Sequence, residues 1–311
     1  MRITLTMENT QTLLDLNNDQ EQISQLSQTI ASGVKFSSPS DDPYAWAQSM
    51  NVQQGLQEYK SIQSNLTFAT GWEQTTSSAL SQLSDLISQA KQVAISATSA
   101  TGKNESAAYA SEVNTILQEA LNLANAQYGD QYVFAGSATS KAPFSIDSST
   151  GVVTYNGDSK SVNVRTDIAD GSSDNTTSVN VTGSDLFTYT SGGNTLNVLN
   201  QIWQLQQALD NGDSSAVTNS ITTLSDAFDH VNDESAIVGG NLSDLNSQQS
   251  AISVFKTNDQ SILSNLQDTD MTQATTQLQQ MQTAYQAALD VTNMLDNVNL
   301  ASYLTGSSTT S

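Results

Sequence analysis

The sequence predicts a mainly α fold: a long, coiled-coil-like helical rod formed by both termini, with a small β module inserted in the middle of the chain. Three observations predict it. Apolar residues recur at heptad spacing near both ends. Alternating apolar and polar residues are confined to the centre. The apolar supply is thin for 311 residues, 37% with 6% aromatic and a mean hydropathy of −0.34. Narrow stripes on extended helices use such a supply better than one large core does. Apolar periodicity, with 13% charged residues, argues against disorder.

The first helix is read over roughly 7–32, where Leu16, Ile23 and Ile30 recur every seven residues beside Leu13 and Leu26. Gly33 ends it. A second helix begins near Pro43 and runs towards Ser99, with Ile62, Leu66 and Ala69 leading into Leu80, Leu83, Ile87, Ala90, Ala94 and Ala97. Thr101 to Asn104 reads as a turn, and a third helix spans about 105–127 on Val113, Leu117, Ala120 and Ala124.

The period then changes. "QYVFAG" at 131–136, "SVNVRT" at 161–166 and "SVNVTG" at 178–183 read as strands, and Asn156-Gly157 as a turn signal. The polar "DIADGSSDNTT" between them is a loop. Helical period returns with Leu196, Leu199, Ile202, Leu205 and Leu209. Asp213 opens a long helix with a soft spot at Gly239-Gly240 that carries Ile252, Phe255, Ile262 and Leu266 on one face. Asp270 and Gln273 have capping-box spacing before a last helix with Leu278, Met281, Tyr285, Ala288 and Leu295; the tail "GSSTTS" is expected to fray. The segments expected are 1–40, a terminal tube helix pairing with the C-terminal one; 41–130, rod; 131–193, β module; 194–268, rod; and 269–311, tube helix and tail.

Thirty-one acidic and nine basic residues give a net charge of −22. The nine bases are scattered singly, so no phosphate-binding surface is expected, and neither nucleic acid nor an anionic membrane is a partner. No cysteine is present, which removes disulfides and thiolate chemistry. No segment approaches the ~18 apolar residues of a span, so no membrane insertion is expected. "MRITLTMENT" lacks the basic and apolar regions of a signal peptide, and export, if any, is expected without cleavage.

The one stretch that invites a chemical reading is "FSSPSDDPYAW", with Pro39, Ser40, Asp41, Asp42 and Pro43. Adjacent carboxylates diverge, whereas acid/base pairs come from separated positions; a cation cage would want more oxygen ligands nearby. A structural role fits better. Pro43 suits the first helical position, Asp42 an N-cap, and both charges the helix dipole. His230, the single histidine, has no nucleophile elbow to serve. No catalytic, cofactor-binding or metal-binding residue is assigned. The terminal stripes, Leu13, Leu16, Ile23 and Ile30 with Ile262, Leu266, Leu278, Met281, Tyr285 and Leu295, form the predicted assembly interface.

Several segments carry a family resemblance. "ISQLSQTIASGVKFSSPSDDPYAWAQSM", "LANAQYGDQYVFAG" and "LQDTDMTQATTQLQQMQTAYQAALDVTNMLDNVNLASYL" resemble the hook–filament junction proteins of bacterial flagella, the hook-associated protein 3 family of the flagellin-like superfamily. Both ends and most of the helical middle take part; 140–195 matches only in outline. Filament flagellins usually carry Ala-Lys-Asp-Asp-Ala-Ala where this chain has Pro39-Ser40-Asp41-Asp42-Pro43. The family carries more Arg and Lys along its helices than this chain does.

The resemblance implies a structural subunit, not an enzyme, and no cofactor. It implies unfolded type III export, with a cytosolic flagellar export chaperone on the C-terminal helix. Outside the cell, a ring of such subunits would join the first hook-associated protein to flagellin. The alternatives are a filament-forming flagellin, a secreted coiled-coil adhesin, and a hydrolase using the Asp pair.

Overall fold

The computed structural model describes residues 5–99, 103–147, 150–166 and 176–306. Among the described residues, seven helices and eight short strands follow in chain order: α1 Leu5–Ser32, α2 Pro43–Ala97, α3 Lys103–Ala124, β1 Gln127–Tyr128, β2 Gln131–Tyr132, β3 Phe144–Ile146, β4 Val153–Tyr155, β5 Asn163–Arg165, β6 Thr176–Ser178, α4 Gly183–Phe187, β7 Thr188–Ser191, β8 Asn194–Asn197, α5 Val198–Asn211, α6 Ser214–Gln267 and α7 Met271–Gly306. The fold is mainly α and flagellin-like, with small antiparallel sheets in mid-chain. The chain divides into two compact units, Met1–Gln57 with Lys256–Ser311, and Glu58–Phe255.

The unit Glu58–Phe255 has the core. Leu80, Leu83, Ile87, Ala90 and Ala94 of α2 are buried with Val113, Leu117, Ala120 and Ala124 of α3, Leu199, Ile202 and Leu205 of α5, and Leu224, Ala227, Val231 and Val238 of α6. These stripes repeat every three or four residues, so each helix turns one face inward. Ile62, Leu66 and Ala69 form a smaller cluster with Val179, Leu245 and Ile252. Phe255 departs from its stripe: it is half exposed, its ring 6.4 Å from Tyr59. Gly71 has its reason here, since a Cβ would run into the Tyr128 ring.

The centre is four separate two-stranded antiparallel hairpins, β1–β2, β3–β4, β5–β6 and β7–β8. Only Gln131–Tyr132 of "QYVFAG" is strand; Val133, Phe134 and Ala135 leave it and are buried. Asn156-Gly157 does not turn a hairpin. The β3–β4 turn precedes it, where Gly151 at φ 73° donates its N–H to the Asp147 carbonyl. "SVNVTG" is strand only at Ser178, the end of β6; Thr182 then caps α4, accepting from Asp185 N–H. A five-residue helix gives little periodicity to read. Leu196 lies in β8, not on the α5 face, because Asn197 caps α5. Lys103 and Asn104 belong to α3 rather than a turn, while Thr101, Gly102, loop residues 167–175 and tail residues 307–311 lie outside the described residues.

Candidate assembly site

The unit Met1–Gln57 with Lys256–Ser311 is built on two chain breaks that face each other. The first is the break between α1 and α2. Gly33 adopts φ 74° and donates to the Thr29 carbonyl, ending α1. Asp42 accepts from Ala45 N–H at 2.9 Å through its carboxylate, and its carbonyl accepts from Trp46 N–H. Pro43 opens α2, where its missing N–H leaves nothing unpaired.

Asp41 does not aim at the helix. Its carboxylate turns back and accepts from Ser37 N–H at 2.9 Å, Ser38 N–H at 3.0 Å and Ser38 Oγ at 3.2 Å. The two backbone donors hold its pKa below the usual carboxylate value. Ser40 donates its N–H to Ser38 Oγ, and Pro39 sits with it in the turn. Phe36 is buried under this loop, edge-on to Trp46 at 6.0 Å.

The second break, between α6 and α7, meets the first. Lys35 N–H donates to the Gln267 carbonyl at 2.7 Å, and Lys35 Nζ to the Asn265 carbonyl at 2.8 Å. Thr269 N–H donates to the Gly33 carbonyl at 2.9 Å. Two of the last carbonyls of α6, which no residue of the helix can pair, are thus satisfied by Lys35, whose charge suits the helix C-terminus. Asp270 caps α7, accepting from Thr272 and Gln273 N–H.

From this joint α1 and α7 run antiparallel. Val34 pairs with Asp268, and further along Tyr285 Oη lies 3.5 Å from Gln20 Oε1. Leu16 and Ala274 are buried; Ile23, Ile30, Leu278, Met281 and Tyr285 are half-buried. Ile262 and Leu266, near the end of α6, are half-buried as well. Leu13 is 57% exposed, and Leu295 lies in α7 with its side chain outside the described residues. Among the described residues of this unit, only Leu16, Phe36 and Ala274 are buried apolar residues, while Leu14, Val291 and Met294 join Leu13 in solvent.

Reasoning along the sequence missed Lys35, and nothing local could have found it: the partner carbonyl is 230 residues away. Among the described residues no group of three or more His, Asp or Glu could hold a metal ion, and no helix is long and apolar enough to cross a membrane.

Paired terminal helices with few buried apolar residues, and a helical unit carrying small hairpins, make up a flagellin-like fold. Residues 3–139 match the bacterial flagellin N-terminal helical region. The chain is 32% identical over 171 residues to the flagellar hook-associated protein 3 of Salmonella typhimurium, covering 54% of this chain and 53% of that protein. It is 30% identical over 147 residues to the protein of the same name from Escherichia coli, covering 47% and 46%. The chain spans about half the length of the curated relatives it matches. The fold is similar to the crystal structure of Bacillus cereus FlgL, with a TM-score of 0.57 and 20% identity over 68% of this chain and 98% of that one. Together these findings support the hook-associated protein 3 family for this chain.

Proposed function

We propose that the chain is a structural subunit of the bacterial flagellum, an adaptor ring joining the hook, through the first hook-associated protein, to the flagellin filament. One observation carries the reading. The α1–α7 pair is long, antiparallel and almost without a core of its own, so its apolar side chains reach full burial only against neighbouring subunits. In this reading residues 1–40 and 269–311 form an inner tube. The stretch Pro39, Ser40, Asp41, Asp42 and Pro43 is the hinge between tube and rod. The subunit leaves the cell by the flagellar type III route, escorted by a cytosolic chaperone on α7, and sits outside the cell at the hook–filament junction.

Electron microscopy of a deletion strain tests this. Hooks without filaments, with flagellin released into the medium and motility lost, are expected. Full filaments lacking only this protein would remove the junction role. The match to the flagellin N-terminal region favours a second reading, a filament-forming flagellin, which the same strain distinguishes because deletion would then leave hooks without filaments and no flagellin in the medium.

A further inference from the structure

The tripeptide Asn-Gly-Asp occurs twice in the chain, at 156–158 and at 211–213. An asparagine followed by glycine can close on itself. The glycine backbone nitrogen attacks the asparagine side-chain carbon and an N–Cγ bond forms. The Cγ–Nδ2 bond breaks, and ammonia leaves with the proton from the glycine nitrogen. Water then opens the cyclic imide at either carbonyl, giving aspartate or isoaspartate. Glycine favours the attack because it has no side chain to obstruct it and the least restricted backbone. The reaction also needs a glycine N–H that is not engaged elsewhere.

The structure puts the two copies in opposite settings. Asn211 is the last residue of α5, and Gly212 caps that helix at φ 67°, its N–H bonded to the carbonyls of Ala208 and Leu209. Asp213 N–H follows it to the Ala208 carbonyl at 2.9 Å. The attacking nitrogen at this copy is already committed. Asn156 instead lies just past β4 and is exposed. Its N–H donates to the Pro143 carbonyl at 2.7 Å, and Asp158 N–H donates to the Ala135 carbonyl at 3.1 Å. Between them, Gly157 N–H has no acceptor among the described residues. The Asn156 amide is held by one exposed bond, from Nδ2 to Ser145 Oγ at 2.9 Å. Packing requires glycine at 157, because a Cβ there would run into the Tyr155 ring.

We infer that Asn156 is a site of spontaneous deamidation in the folded protein, with water as the only co-reactant, and that the cap ending α5 protects Asn211. Conversion removes the donor to Ser145 and sets a new carboxylate two residues before Asp158. The isoaspartate form also lengthens the backbone by one carbon between Tyr155 and Gly157. Tyr155 Oη donates to the carbonyls of Phe134 and Asp158, and the Asp158 carboxylate accepts from Ser137 N–H and Oγ. Isoaspartate at 156 therefore slackens the tie between residues 134–137 and 155–158.

The test is peptide mapping by mass spectrometry on the purified full-length chain, aged in mildly alkaline buffer with and without urea. Isoaspartate is read by methyl transfer from S-adenosylmethionine with an isoaspartyl methyltransferase. In the native chain, product accumulates at Asn156 several-fold faster than at Asn211. It forms faster as pH rises, because the attacking nitrogen must lose its proton. In urea the two sites react at similar rates. Equal native rates, or a faster rate at Asn211, overturn the inference, and so does a native chain in which Asn156 stays intact. A several-fold preference for Asn156 that persists in urea also overturns it, because the fold would then not be its source.

Discussion

Asn241 of α6 donates its side-chain N–H to Glu73 Oε1 of α2 at 3.2 Å, while Glu73 Oε2 is buried with no hydrogen-bond partner. Glu73 is fully buried, and burial pushes its pKa up to about 7 against the smaller opposing effect of the Asn241 bond. Because the folded-state pKa is raised, the stability linked to this proton is fully present below the unfolded value of 4.5 and is lost as pH rises to about 7. Glu73→Gln should stabilise the unit at pH 8 by about 2 kcal/mol, with little effect at pH 4. Thermal melts of both proteins across pH check this; an equal shift at both pH values rules out the proton linkage.

The glycine pair immediately before Asn241 offers a separate test. α6 runs unbroken through Gly239 and Gly240, and a Cβ at either position meets nothing within 4 Å. Each glycine costs a helix interior about 1 kcal/mol relative to alanine. Gly239→Ala and Gly240→Ala should each raise stability by roughly that amount in urea unfolding. A loss of stability would mean that the pair serves a bend these residues need.

Asp41 and Asp42, though adjacent, should respond differently to replacement. Asp42→Ala removes the α2 cap and should cost about 1 kcal/mol, read as faster amide exchange at the start of α2. Asp41→Asn weakens the contacts to Ser37 and Ser38 and should loosen the loop around Phe36 while leaving α2 protected. Asp41 has a lowered pKa, so its contribution is present above the ordinary value of 3.8 and disappears as pH falls through the folded one. Equal exchange profiles for the two variants would contradict the division of roles.

Two asparagines act in place of strands. Asn125 donates to the Phe144 carbonyl and accepts from Phe144 N–H, each at 3.0 Å. Asn200 does the same for Val153, at 3.0 and 2.8 Å. Removing either amide leaves partly buried backbone groups unpaired, at about 1–3 kcal/mol. Asn200→Leu should lower the melting temperature by several degrees. An unchanged melt would show that water replaces the amide at no cost.

The terminal helices of the free chain should exchange faster than the rest. α1 and α7 cover each other on one side only, whereas α3 and α5 lie within the large cluster. Hydrogen exchange on the unassembled protein is expected to show fast exchange at 1–40 and 270–311 and slow exchange in α3 and α5. Strong protection at both ends would mark a self-contained bundle.

The long helices were legible because Leu80, Leu83, Ile87 and their equivalents repeat over many turns, and Asp213 and Gly33 punctuate them with chemistry that acts within four residues. The centre was not. Strands of two to four residues carry too few alternations to fix their edges, so β6 was displaced, Leu196 of β8 was read as helix and α4 was missed. At the candidate site the cap on α2 is a local matter, but the reversal of Asp41 and the part played by Lys35 depend on a loop shape and a partner that no neighbouring residue specifies.

The distance along the chain between Lys35 and Asn265 also imposes an order in time. The 58–255 unit holds both apolar clusters and can close on its own residues. The bond from Lys35 cannot form until both distant segments are present together, and α1 cannot pair with α7 until the final helix is there. The surface proposed to meet other subunits therefore needs both ends of the chain, and no chain lacking its last helix can present it to a neighbour.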